Sequence, residues 1–380
     1  MIEADMDALV ALRRDLHQHP ELGFEETRTS DLVANRLSEI GCTVYRGLAT
    51  TGIVGTLENG SGPMIGLRAD MDALPMDEAS GRPWTSQSAG RFHGCGHDGH
   101  TVSLLATAEH LARTRAFKGT LVFIFQPAEE GLGGGRVMVE EGLFSRFPCE
   151  QVYGFHNMPL LPLGKAALQP GPSMASFDEF KVTFSGKGGH AAMPHLSTDS
   201  VFAASEACVS LQGLPAREVD PHIAAVLSVT QIHGGTTHNV IPEDAWIAGT
   251  VRTLDDNAQT VLQAALSRVC EGVSKTRGLS VDVSYERKFP VLFNEAEATH
   301  KLRCAVERAM GTDALDDDFK PLLAAEDFAF MLQERPGAYV LLGQHDDDHQ
   351  AMVHNPAYDF NDRLIPVAAS VLAALVAPAT

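Results

Sequence analysis

The chain has 380 residues, of which 44% are hydrophobic and 21% charged, and its formal net charge is −20. That length exceeds one ordinary hydrophobic core and points to two domains, and the balance of apolar and charged residues excludes a disordered chain. So acidic a protein repels polyphosphates, which excludes nucleic acid as a partner, although a few Arg and His residues gathered in one cleft can still receive an anionic small molecule.

The first residues, MIEADMDALVALRRDL, lack a basic stretch followed by an apolar one, so no signal peptide is expected. No apolar run reaches membrane-spanning length. Six cysteines do not make a disulfide framework in a chain this long. A reducing cytoplasm is therefore expected, where Cys95 can stay a thiolate.

Taken in chain order, residues 9–16 and 29–40 show helical spacing, and the short apolar runs 52–57 and 64–69 read as strands. A helix is predicted over 101–113 with Asp98 as its N-cap. TLVFIFQ (120–126) and 151–155 read as buried strands. This β-α-β-α order predicts an α/β layer architecture with a largely parallel sheet. The rhythm then changes. FDEFKVTFS (177–185) alternates apolar and polar residues, a helix follows near 200–212, and strand-like runs occupy 223–232 and 245–254. An amphipathic helix over 257–275 and an alternating run over 279–285 complete a β-α-β-β-α-β unit of ferredoxin-like type. From about Phe289 the α/β character returns, with a buried strand at 338–343 and an apolar carboxy-terminal helix. The smaller unit, 175–288, thus reads as inserted into a larger one formed by 1–174 and 289–380.

Four local features carry chemistry. His93-Gly94-Cys95-Gly96-His97-Asp98-Gly99-His100 combines a thiol and imidazoles, which suit zinc-like metals, with glycines that let the backbone fold tightly around an ion. Gln126-Pro127-Ala128-Glu129-Glu130-Gly131 follows a buried strand. Adjacent residues in extended backbone point to opposite sides, so Glu129 and Glu130 can hold different jobs, one binding metal while the other faces the water on it. His156 is expected after the strand 151–155, Asp70 after 64–69, and His354 in a loop after 338–343. Sites in parallel sheets gather at the carboxyl ends of strands, so one edge can collect all of these side chains.

The segments RADMDALP (68–75), HGCGHDGH (93–100), QPAEEG (126–131), GFHNMP (154–159), GKGGHAAMPH (186–195), HNVIPEDA (238–245), EDFAF (326–330) and VHNPAYDF (353–360) occur in an order that resembles the metal-dependent aminoacylase and carboxypeptidase superfamily, in its hippurate hydrolase and indole-acetyl-amino-acid hydrolase branch. The resemblance spans nearly the whole chain. It implies a di-metal, peptidase-like catalytic domain with an inserted ferredoxin-like α+β dimerisation domain. It implies two divalent ions per subunit, with Zn, Mn, Co and Ni all suited to the donors, held by Cys95, His97, Glu130, His156 and His354. Glu129 is then the general base, and Asp70 holds a ligand imidazole in the right tautomer. His190, Asn239 and Arg252 are expected to bind the substrate's carbonyl and carboxylate, partly across a homodimer or higher homo-oligomer. The implied activity is hydrolysis of the amide bond of a small N-acyl amino acid, with neither a nucleic-acid nor a membrane partner. A dipeptidase or carboxypeptidase could use the same site, and so could a regulatory metal binder that kept the fold. Glu129 argues against the latter, which has no use for a carboxylate beside Glu130.

Overall fold

The computed structural model describes residues 5–378, so the readings made on the first four residues and on the last two fall outside the described residues. The chain divides into two compact units. The larger holds the described residues up to Ser173, Phe293–Lys320 and those from Asp327 onward; the smaller holds Met174–Leu292 and Pro321–Glu326. The return of Pro321–Glu326 to the smaller unit is not part of the single continuous insertion read from the sequence.

The larger unit is built on a seven-stranded sheet in the order Thr43–Leu48, Gly52–Asn59, Gly119–Gln126, Met64–Asp70, Gln151–Pro162, Gly337–His345, Ala166–Ala167. Only its centre is parallel: Met64–Asp70 runs alongside Gly119–Gln126 and Gln151–Pro162, which runs alongside Gly337–His345. The flanking pairs are antiparallel, which corrects the expectation of a largely parallel sheet. The strand Thr43–Leu48 escaped the pattern because most of its side chains face solvent, so no apolar alternation marks it. Gly119–Gln126 is buried along nearly its whole length, as a central strand covered on both faces must be. His97–Thr114, Ala296–Met310 and Leu364–Val376 pack together, and their apolar residues join one core with Leu67, Phe123, Phe125 and Val340.

The smaller unit has a four-stranded antiparallel sheet in the order Ala225–Gly234, Asp244–Thr253, Phe177–Ser185, Ser280–Phe289. Burial alternates residue by residue along Asp244–Thr253. The inward set, with Phe180, Val182, Phe184, Ile247 and Val251, packs against Leu211 of Ser200–Leu211 and Leu262 and Leu266 of Asp256–Arg277. This is the one-sided β-α-β-β-α-β arrangement that the alternating strands implied. No helix among the described residues is long and apolar enough to cross a membrane.

Candidate metal centre

The amino end of the helix His97–Thr114 sets the geometry. Gly96 caps it with φ 93°, a left-handed conformation natural to glycine, and a Cβ there would run into the Tyr358 hydroxyl and Asn157 Oδ1. Asp98 is not the N-cap that was expected. It lies inside the first turn, where its carboxylate pairs with His17 at 2.8 Å and Arg13 at 3.6 Å. His354, at φ 64°, is brought to the same place by its backbone N–H, which donates to the Gly94 carbonyl at 2.7 Å.

His156 lies inside the strand Gln151–Pro162 rather than after it. The neighbouring strand Met64–Asp70 pairs with it only as far as Gly154, so His156 still stands beyond that neighbour's paired stretch. Glu129 and Glu130 are not in extended backbone. The strand ends at Gln126, the chain turns at Ala128 (φ 54°), and both carboxylates reach the same centre. The two carboxylates therefore do not point to opposite sides, as extended backbone would make them. What holds the turn is Glu26, whose Oε1 accepts from Ala128 N at 2.8 Å and whose Oε2 accepts from Thr51 Oγ1. Burial pushes the Glu26 carboxyl up to about 7.

The donor atoms form overlapping groups. Cys95, His97 and His156 make one, Cys95, Glu130 and His354 a second, and His97, Glu129 and Glu130 a third, each with its donors within 4.8 Å of one another. Cys95 Sγ is 3.4 Å from His156 Nε2, and Glu130 Oε1 is 3.3 Å from His354 Nε2 and 3.9 Å from His97 Nε2. All five expected ligands converge, with Cys95, His97 and Glu130 each shared between two groups.

The residues fit divalent metal. His97 Nε2 and Glu130 Oε1 are buried with no hydrogen-bond partner among the described residues, as atoms reserved for a cation would be. His97 Nδ1 faces the Asp72 carbonyl at 2.9 Å and Asp72 Oδ1 at 3.2 Å, and His156 Nδ1 faces the Asn157 carbonyl at 2.7 Å. An oxygen acceptor at Nδ1 requires the proton there, which turns both Nε2 atoms toward the centre. The local field also favours a cation. Burial, reinforced by Glu130, Glu129 and Asp70, pushes the Cys95 thiol well up, so the thiolate needs a positive ion beside it. Burial opposes charge on His97, yet Asp70, Asp72 and Glu130 outweigh it and raise that imidazole to about 10. Burial, with His100 next, holds His156 well below its ordinary value and keeps it neutral.

A family model, Peptidase family M20/M25/M40, matches residues 66–377. The chain is 40% identical to a hippurate hydrolase of Campylobacter jejuni, over 96% of this chain and 94% of that protein. It is 36% identical to an IAA-amino acid hydrolase of Arabidopsis thaliana, over 97% and 84%. Among solved structures it superposes on a dinuclear metal binding peptidase of Bacillus subtilis with a TM-score of 0.86, at 32% identity, covering 98% of each chain. The chain belongs to Peptidase family M20/M25/M40.

Within this M20 protein, the contact expected of Asp70 is made by Asp72. Asp70 does not hold a ligand imidazole by hydrogen bond; its Oδ1 takes the Nδ1 of His100 at 2.6 Å and its Oδ2 the Arg68 guanidinium at 2.8 Å. Asp72 is the residue that holds His97, and its Oδ2 also accepts from Glu130 N at 2.9 Å. Burial opposes ionisation of Asp70, but His97, Arg68 and His100 hold its carboxyl well below the usual range. Sequence reading also passed over Glu26, Arg68, His100 and Asn157. For Arg68, His100 and Asn157 the available signal was position inside the motif segments; Glu26 lies outside them all, and only the fold shows which of these residues touch.

The remaining expected site residues lie in the smaller unit. The strand Gly189–His190 pairs with Val240–Ile241, and Ala191 N donates to the Asn239 carbonyl at 3.0 Å, so His190 and Asn239 share one two-stranded ribbon. Both are exposed. Arg252 stands on Asp244–Thr253, half-buried, with its guanidinium 4.4 Å from the centre of the Phe177 ring and donating to the Leu323 carbonyl at 2.9 Å.

Proposed function

We propose that this chain is a two-metal amidohydrolase that cleaves the amide bond of N-acyl amino acids, giving a carboxylate and a free amino acid. The observation that carries this reading is the convergence of Cys95, His97, Glu130, His156 and His354, two of whose buried donor atoms make no hydrogen bond among the described residues, with Glu129 alongside them. The hippurate and IAA-amino acid hydrolases among its relatives both act on amides of amino acids. The five side chains would hold two divalent ions of the Zn, Mn, Co or Ni type. Such ions supply Lewis acidity, which lowers the pKa of water and polarises an amide carbonyl.

The protein supplies the rest. An amide nitrogen is a poor leaving group until it is protonated. Glu129, buried to 7% exposure and steadied by Asp327 N at 3.3 Å, accepts a proton from the attacking water at its carboxylate and returns it to the departing nitrogen. His190, Asn239 and Arg252 are assigned to the substrate's carbonyl oxygen and carboxylate. A homodimer is part of the same proposal. Ala225–Gly234 is an edge strand, and Val226 and Ile232 on it, with Phe202 and Val209 on the helix Ser200–Leu211, are large apolar side chains left exposed. We assign the protein to a reducing compartment, consistent with six free cysteines.

The test is dialysis against a strong chelator, then assay on N-acetyl, N-benzoyl and aminoacyl substrates with and without added Zn, Mn, Co or Ni. Hydrolysis should vanish and return with metal, and the acylated substrates should outpace the dipeptides. Full turnover in a sample shown to be metal-free by elemental analysis would end the two-metal reading.

A further inference from the structure

His100 is the histidine of the HGCGHDGH segment that the proposed chemistry leaves unused. Its ring is fully buried, and both of its nitrogens are occupied: Nδ1 lies 2.6 Å from Asp70 Oδ1 and Nε2 lies 2.6 Å from Asn157 Oδ1. The Asn157 amide is itself oriented, because its Nδ2 donates to the Tyr358 hydroxyl at 2.7 Å and to Gln344 Oε1 at 3.2 Å. Asp70 is fixed in turn by Arg68, which also donates to Gln126 at 2.9 Å and to Asp327 at 3.1 Å. With both nitrogens engaged, His100 has none free to serve as a ligand.

What it touches is more informative. Its ring lies 5.4 Å from the His97 ring, stacked at 30°, and 4.7 Å from the His156 ring, edge-on at 74°. Phe155 at 5.0 Å and Phe360 at 6.2 Å close the cage. Its two clamps reach the same pair of rings. Asn157 is the residue whose carbonyl holds His156 Nδ1, and Asp70 Oδ2 lies 3.7 Å from His97 Nε2. A Cβ at Gly99 would strike the Phe360 ring, so the packing around this post leaves no slack.

We propose that His100 is a positioning residue: a buried imidazole wedged between His97 and His156 that sets the spacing and aim of these two rings. The inference rests on the ligand assignment above. Outer partners that orient ligands commonly alter metal affinity by about 10–100-fold when lost, and His100 orients two ligands at once.

The experiment is equilibrium dialysis of the full chain against buffered free Zn²⁺ with elemental analysis, on wild type and His100→Gln, together with absorption spectra of the Co²⁺-loaded proteins. Wild type binding two ions supports the ligand assignment; wild type failing to do so overturns that assignment, and the role of His100 falls with it. With wild type at two ions, a folded His100→Gln should bind the second about tenfold or more weakly and show an altered Co²⁺ spectrum. Two ions at wild-type affinity with an unchanged spectrum would overturn the proposal. If His100→Gln does not fold, Asn157→Ser decides, since it removes one clamp and keeps the ring. An affinity loss of about threefold or more supports the wedge, and wild-type affinity sinks it.

Discussion

In the larger unit, the side chains at the metal centre are mostly buried, and the imidazoles of His97 and His156 are each held at a second atom. In the smaller unit, His190 and Asn239 stand in solvent; His190 Nδ1 accepts from Ala192 N at 3.1 Å, and Asn239 Oδ1 accepts from Thr237 at 3.3 Å. On the roles proposed above, the contrast separates two kinds of functional residue. Donors to a metal must be aimed before the ion arrives, because each misdirected donor weakens binding. Residues that meet a substrate, or a second copy of the chain, can wait exposed and be ordered by what they meet.

The sharpest way to break this contrast is at its buried end. Glu129→Gln should lower kcat by about 10²–10⁴-fold while two ions per chain remain, whereas Glu130→Gln should lower metal content itself. Paired steady-state kinetics and elemental analysis check both, and the opposite pattern would exchange base and ligand. Next in size, Asp72→Ala should cost about 10–100-fold in metal affinity or activity by freeing the His97 ring. An unaffected Asp72→Ala alongside a crippled Asp70→Asn would return the tautomer role to Asp70.

The exposed end is tested by mixing. If His190 completes the active site of a second copy, inactive His190→Ala and inactive Glu129→Gln chains should complement on exchange. At equal amounts half the dimers are mixed and each has one complete site, so activity should approach about a quarter of wild type. Heterodimers visible by native mass spectrometry without recovered activity would confine His190 to its own chain.

The smallest effect concerns stability rather than turnover. Burial opposes charge on His17, but Asp98 and Glu78 outweigh it and raise the imidazole to about 9. A folded-state value above the ordinary one means that the stabilisation is complete below about 6.5 and fades as the pH rises through 9. Urea unfolding of His17→Gln should therefore fall furthest below wild type near pH 6, with the gap narrowing by pH 9.5. A gap that widens with pH would contradict the buried ion pairs around Asp98.

Much of this architecture can be read from the chain because its signals are periodic. The alternation in FDEFKVTFS and the unbroken apolar run TLVFIFQ report directly which faces are covered. The candidate ligands could be assembled because several lie near strand ends and because the motif order resembles one family. Three things were not legible. Thr43–Leu48 faces solvent and carries no pattern. The turn at Ala128 has a positive φ at a non-glycine residue, which nothing in QPAEEG announces. Asp70 and Asp72 sit two residues apart on one short segment, and which imidazole each one meets is decided by distances of an ångström or so, far below what spacing resolves.

The imidazole of His156 is aimed by the carbonyl of the very next residue. A main-chain acceptor is indifferent to the side chain it belongs to, so substitutions at position 157 can loosen the post behind the ring but cannot delete the acceptor that orients it. His97 shares its hold between the Asp72 carbonyl and the Asp72 carboxylate, and the second of these can be lost in a single mutation. The two histidines proposed as ligands should therefore differ in mutational robustness. In a saturation library read out by metal retention, position 72 should tolerate few residues and position 157 more.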